Sequence, residues 1–206
     1  MQYSDKNEGR DTESNIVKES ATAYGTRPFD GYTTEDYFAL PEDQRVELID
    51  GVFYNMASPG VAHQEISMSM SIQFGNYISK KGGNCRVFAG PIDVQLDGND
   101  KTMVVPDIIV VCDAGKLKKD RIMGAPDFVA EIVSPSSRKR DYVIKTAKYS
   151  EAGVREYWII DPEKERVLVY NFEGDSVPVI YGSDEKIPVG IFSGELTIDL
   201  YNNMEL

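Results

Sequence analysis

No apolar run in this chain approaches the ~18 residues that a membrane-spanning helix needs, so no transmembrane segment is expected. The opening stretch MQYSDKNEGRDTES is polar throughout. It lacks the apolar block of a secretory signal, and a cytoplasmic location is the expectation. Cysteine is scarce: Cys85 and Cys112 are the only two. They match no zinc or dithiol spacing and read as two reduced, buried thiols. Trp158 is the only tryptophan. It lies in an apolar run with the character of core, which argues against the aromatic sugar platform of a two-carboxylate glycosidase. No internal repeat is present.

An excess of positive charge is missing too. The net charge is −12, the wrong sign for a nonspecific nucleic-acid coat protein. The distribution is uneven, however. Residues 116 to 148 hold nine Lys or Arg against four acids, whereas residues 156 to 206 hold three against eleven. The most basic part of the chain is also the part richest in candidate chemistry.

The length of 206 residues with 41% hydrophobic content suits one domain with a real core. Residues 1–28 are polar and aperiodic and read as a disordered or extended tail, leaving 29–206 as the domain. Thr33 and Thr34, followed by Glu35 and Asp36, predict a short helix start. RVELIDGVFYNMA, from Arg45 to Ala57, predicts a β-hairpin turning at Asp50-Gly51. Ile66, Met70, Phe74, Tyr77 and Ile78 recur at helical spacing within a helix from about Ala62 to Lys80. Strands are expected at Cys85 to Ala89, Ile92 to Leu96, Met103 to Val111 and Phe128 to Val133. A second helix follows over Lys139 to Ala152, then strands at Glu156 to Ile160 and Arg166 to Phe172, with edge strands beyond. This order predicts an α/β fold: a mixed sheet flanked by helices, with an N-terminal hairpin.

Two carboxylates stand where carboxylates are costly. Asp107 begins the run DIIVV and Glu131 interrupts FVAEIV, both with the composition of strands buried on two faces. If those strands pair, the two carboxylates can share one side and hold Mg²⁺ or Mn²⁺, which prefer hard oxygen donors. Each could equally be a buried carboxylate paired with Lys or Arg for structural reasons. On the second helix Asp141, Lys145 and Lys148 share a face, with Ile144, Ala147 and the ring of Tyr149 as packing residues. Lys145 could orient a metal-bound water or offset phosphate charge; an exposed Asp141–Lys145 pair is the plainer reading. His63, the only histidine, sits at the start of the first long helix, where a surface or capping role is commonest.

PDIIVV and FVAEIVSPSSRKRDYVIKTAKYSEAGVREYWIIDP, with VELIDG at 46–51 and SPGVAHQ at 58–64 before them, resemble the Uma-2 family of endonucleases. The resemblance covers about residues 30 to 200, with four motifs in order. It implies a restriction endonuclease-like core of the PD-(D/E)XK superfamily. It maps the acidic motif positions onto Asp107 and Glu131 and an additional acidic position onto Glu47. His63 matches the family's histidine. Val133 stands where the superfamily usually has its lysine, so Lys145 would supply that charge from the helix.

The resemblance thus implies a Mg²⁺- or Mn²⁺-dependent endonuclease acting on DNA. Asp107, Glu131 and Glu47 would hold the metal, and Lys145 would assist the attacking water. The basic segments at 116–121 and 138–140 would meet the phosphate backbone. A homodimer fits the exposed C-terminal edges. The alternative is a catalytically silent binding or assembly module on the same fold, favoured by Val133 and the acidic net charge.

Overall fold

A computed structural model describes residues 30–200 except 97, 99 and 183; the expected tail at 1–28 lies outside the described residues. The chain begins with a short helix α1 (Thr34–Phe38), whose N-cap Thr33 and N3 residue Asp36 bond reciprocally to each other's backbone N–H. The hairpin follows as β1 (Val46–Ile49) and β2 (Val52–Asn55). Its turn residues Asp50 and Gly51 both adopt positive φ, 50° and 71°, the geometry that makes Asp-Gly a hairpin signal.

The long helix α2 (Val61–Lys81) places Ile66, Met70 and Phe74 in the core, each fully buried. Burying side chains of this size stabilises the fold by roughly 2 kcal/mol apiece. After it come β3 (Arg86–Ala89), β4 (Val94–Gln95), β5 (Met103–Val104), β6 (Ile108–Val111), β7 (Ile122–Met123) and β8 (Phe128–Ile132). A helix then runs from Arg140 to Ala152, π-helical over Arg140–Lys145 and α-helical as α3 (Thr146–Ala152). The remaining strands are β9 (Glu156–Asp161), β10 (Arg166–Asn171), β11 (Val179–Gly182), β12 (Ile187–Pro188) and β13 (Thr197–Ile198).

Six strands form the main sheet in the order β11-β10-β9-β8-β6-β3, and a smaller sheet runs β2-β1-β5-β4-β7. Each is mixed: β8 pairs parallel with β9, and β4 with β7, while the other pairs are antiparallel. One face of the main sheet packs Ile108, Val110, Phe128, Ala130 and Trp158 against α2. The other packs Ile109, Val129, Tyr157 and Ile159 against Tyr149 of α3 and against Ile49, Val94 and Val104 of the smaller sheet.

Three expectations need correction. Met103 to Val111 is two strands: β5 belongs to the smaller sheet and β6 to the main one. Pro106, which has no N–H for a ladder, lies at the crossing, and Asp107 comes immediately after it. The connection at 113–126 contains β7, which adds a strand to the smaller sheet. Cys85 and Cys112 are joined in a disulfide. They extend the β3–β6 register by one step beyond Arg86↔Val111, so antiparallel pairing brings together residues 27 apart in sequence. Distance along the chain conceals that proximity.

Candidate active site

Asp107 and Glu131 are brought together by strand register. Ile108 pairs with Ala130 in the antiparallel β6–β8 ladder, so one step further Asp107 stands opposite Glu131. Side chains alternate along strands, and both carboxylates fall on the face that carries Ile109 and Val129. Asp107 also ties the two strands together: its Oδ2 accepts the Ile132 N–H at 2.7 Å. His63, from the first turn of α2, places Nε2 3.1 Å from the other oxygen, Oδ1.

Glu131 is 4% exposed. Its Oε1 accepts from Lys145 Nζ at 2.8 Å and from the Tyr149 hydroxyl at 2.6 Å. Burial pushes its carboxyl well above the usual range, and the neighbouring Asp141, Asp107 and Glu47 push the same way against Lys145.

Lys145 reaches this carboxylate because the helix is π-wound at its start. A π turn brings residues four and five apart onto one face. Arg140, Asp141 and Lys145 therefore all turn inward and are buried. The carbonyls freed by the irregular turn find other donors: Thr146 Oγ1 bonds the Asp141 and Tyr142 oxygens, and the Tyr157 hydroxyl bonds the Asp141 oxygen at 3.0 Å. Lys145 Nζ lies 2.6 Å from Glu47 Oε1, 2.8 Å from Glu131 Oε1 and 3.8 Å from Asp141 Oδ1. Burial works against its charge, but the three carboxylates outweigh burial and hold the ammonium above the ordinary lysine range. Lys145 is a fixed cation here, not a proton acceptor.

Glu47, on β1, is completely buried. Its Oε1 also accepts the Val105 N–H at 2.9 Å, and Arg140 Nε lies 3.1 Å from its Oε2. Both oxygens thus face cations already in the protein, and Glu47 links the smaller sheet to the Lys145 helix. Asp141 is likewise internal; burial pushes its carboxyl up to about 6. Lys148 turns away from this group, to Asp50 at 2.7 Å on the hairpin turn.

Glu47, His63, Asp107, Glu131, Arg140, Asp141 and Lys145 line one cavity of about 380 Å³, walled by Ser58–Gly60 and the first turn of α2 on one side and by Ser134–Ser137 on the other. The acids fit a divalent ion in part. Four carboxyl groups, Glu47, Asp107, Glu131 and Asp141, gather around two cations, Lys145 and Arg140, an imbalance that a hard dication would offset. Oε2 of Glu131 takes no partner among the described residues. Those residues hold no ready-made group of three or more His, Cys, Asp or Glu for a metal, so an ion here would keep several waters, as Mg²⁺ commonly does.

Sequence reasoning named Asp107, Glu131, Lys145, Glu47 and His63, and the structure gathers all five around this cavity. Arg140, expected in the phosphate-contacting segment 138–140, is instead buried beside Glu47, and the hydroxyl of Tyr149 was not singled out. The Lys145-x-x-x-Tyr149 spacing was a usable signal, since i and i+4 share a helix face. The basic segments are partly spent within the protein: Arg121 pairs with Asp120, Arg138 with Asp161 and Glu163, and Lys116 bonds the Ala125 carbonyl. Trp158 is fully buried and donates to Glu156 at 2.7 Å, so it offers no surface to a sugar. Val133 is buried in the apolar cluster. No helix among the described residues is long and apolar enough to cross a membrane.

Comparisons with known proteins bear on the family and the fold. Residues 34–200 match the family model Uma2, described as "Putative restriction endonuclease". The uncharacterized protein slr1290 of Synechocystis sp. is 25% identical over 178 residues, spanning 84% of this chain and 92% of that protein. A crystal structure described as a "putative nuclease belonging to DUF820" from Anabaena variabilis superposes with a TM-score of 0.68 at 22% identity, covering 82% of this chain and 96% of that one. At that identity the likeness is one of fold, and the fold is restriction endonuclease-like.

Proposed function

The chain belongs to the Uma2 family, and on that premise we propose that it is a divalent-metal-dependent endonuclease that hydrolyses phosphodiester bonds of DNA at the Asp107–Glu131 cavity. The observation that carries this reading is the register of β6 and β8. It sets two carboxylates side by side, with Lys145 bonded to one of them.

Asp107 and Glu131 would hold the metal, with Mg²⁺ or Mn²⁺ the fitting choice for oxygen donors. When bound, such an ion lowers the pKa of a coordinated water and offsets charge on a phosphate. The protein's own residues do the rest. Ile132 N–H and His63 hold Asp107 in place from two sides. Lys145 has three N–H donors; Glu47 and Glu131 take two, and the third meets Asp141 only at 3.8 Å. That third donor is available to a water or a phosphoryl oxygen, where a fixed positive charge stabilises the negative charge that builds up during hydrolysis. Glu47 serves the site by holding Lys145.

The test is cleavage of supercoiled plasmid and single-stranded DNA with Mg²⁺ or Mn²⁺ by wild type, Asp107→Ala, Glu131→Ala and Lys145→Ala. Metal-dependent nicking lost in all three variants is the expected result. Activity that survives in them would place the chemistry elsewhere or in a contaminant.

One observation favours a second reading, a silent binding module. Lys145 is already held by Glu47 and Glu131 inside the protein, without a substrate. Mn²⁺ binding that needs Asp107 and Glu131, with no cleavage of any nucleic acid, would support it.

A further inference from the structure

Glu131 presents two oxygens, and the protein treats them differently. Oε1 takes both available donors, Lys145 at 2.8 Å and the Tyr149 hydroxyl at 2.6 Å. Oε2 takes none among the described residues, and Glu131 lines the cavity. Lys145 cannot fix this orientation by itself, because its ammonium is divided among three carboxylates and lies nearest Glu47, at 2.6 Å. Tyr149 has one acceptor only. Its side chain is completely buried, and its ring packs on Tyr157 at a centroid distance of 4.8 Å. The packed ring thus holds the hydroxyl at Oε1 of Glu131. Tyr149 follows Lys145 by one helical turn, so one helix delivers both donors to one oxygen.

Resting on the metal-binding reading above, we propose that Tyr149 is a positioning residue for that site: its hydroxyl, together with Lys145, occupies Oε1 of Glu131 and leaves Oε2 as the oxygen offered to a divalent cation. Partners that orient a ligating carboxylate in this way commonly change metal affinity by 10- to 100-fold when removed. Tyr149 was legible from sequence only as a packing ring; the role assigned here belongs to its hydroxyl.

The experiment is Mn²⁺ titration of the full chain, by calorimetry, for wild type, Tyr149→Phe and Glu131→Gln. Phe keeps the ring and removes only the donor. The expected result is Mn²⁺ affinity about tenfold weaker in Tyr149→Phe, with a cooperative metal-free unfolding transition retained, and weaker still in Glu131→Gln. Equal Mn²⁺ affinity in wild type and Tyr149→Phe, with Glu131→Gln impaired, would overturn the assignment of Tyr149 and leave the metal site standing. Absence of Mn²⁺ binding by wild type would overturn both. A second measurement does not require Tyr149→Phe to fold: the Mn²⁺-induced infrared carboxylate bands of wild type minus Glu131→Gln. One-oxygen coordination of Glu131 is expected there, and a two-oxygen pattern would overturn the proposal.

Discussion

Lys145 Nζ lies 2.6 Å from Glu47 Oε1, closer than its 2.8 Å to Glu131. A strand of the smaller sheet thus supplies the nearest counter-charge to a lysine on a helix that packs on the main sheet. Removing one partner of a buried ion pair strands the other in a medium that solvates it poorly. Glu47→Ala should therefore lower stability by about 3–5 kcal/mol, read as a lower urea midpoint with an unchanged slope. Stability within 1 kcal/mol of wild type would show that Arg140 and Lys145 do not depend on Glu47.

Asp141 gives a pH dependence of definite sign. Burial raises its carboxyl from 3.8 to about 6 in the folded protein. The folded state thus holds this proton more tightly than the unfolded state does. The stability that comes from holding it is complete below pH 3.8 and is lost as pH rises through about 6. The span is worth roughly 3 kcal/mol. Asp141→Asn cannot lose this contribution, so its stability relative to wild type should improve between pH 4 and pH 7. Parallel stability curves for the two proteins across that range would contradict the prediction.

Gly90 and Asp107 meet back to back. The Gly90 N–H donates to the Asp107 carbonyl at 2.7 Å, and a Cβ on Gly90 would come within 2.6 Å of the Pro106 oxygen. Backbone must move to admit even one methyl group. Gly90→Ala should cost about 1–3 kcal/mol and weaken Mn²⁺ binding, because the displaced segment carries Asp107. Normal Mn²⁺ affinity in a destabilised Gly90→Ala would separate this packing from the site.

The disulfide is directly checkable. Alkylation without reductant followed by mass spectrometry should find Cys85 and Cys112 linked. The Cys85→Ser, Cys112→Ser double variant should lose about 2–4 kcal/mol of stability. Two alkylated thiols in the native protein would show that the pair is not bonded.

Much of the site was legible in the sequence because charge inside a strand stands out. Asp107 and Glu131 interrupt apolar runs, and the hairpin announced itself at Asp50-Gly51. What stayed hidden depended on pairings across the chain or on departures from a regular period. The β5–β6 break shows only as Pro106-Asp107 in an otherwise apolar run. The Cys85–Cys112 link requires the β3–β6 register. Arg140 points inward because the helix is π-wound over Arg140–Lys145, and ordinary helical spacing does not place it beside Lys145. Tyr149 looked like a packing residue because its ring does pack; nothing in the local sequence says where a buried hydroxyl finds its acceptor.

The most direct measurement is the nicking rate of supercoiled plasmid by wild type and Glu131→Gln, purified side by side and assayed with Mn²⁺. Gln keeps the shape of the side chain and removes its charge. The account predicts Mn²⁺-dependent nicking by wild type and a loss on the order of 10²-fold or more in Glu131→Gln, because the ion that would stabilise transition-state charge loses a ligand. Equal rates in the two proteins would contradict it.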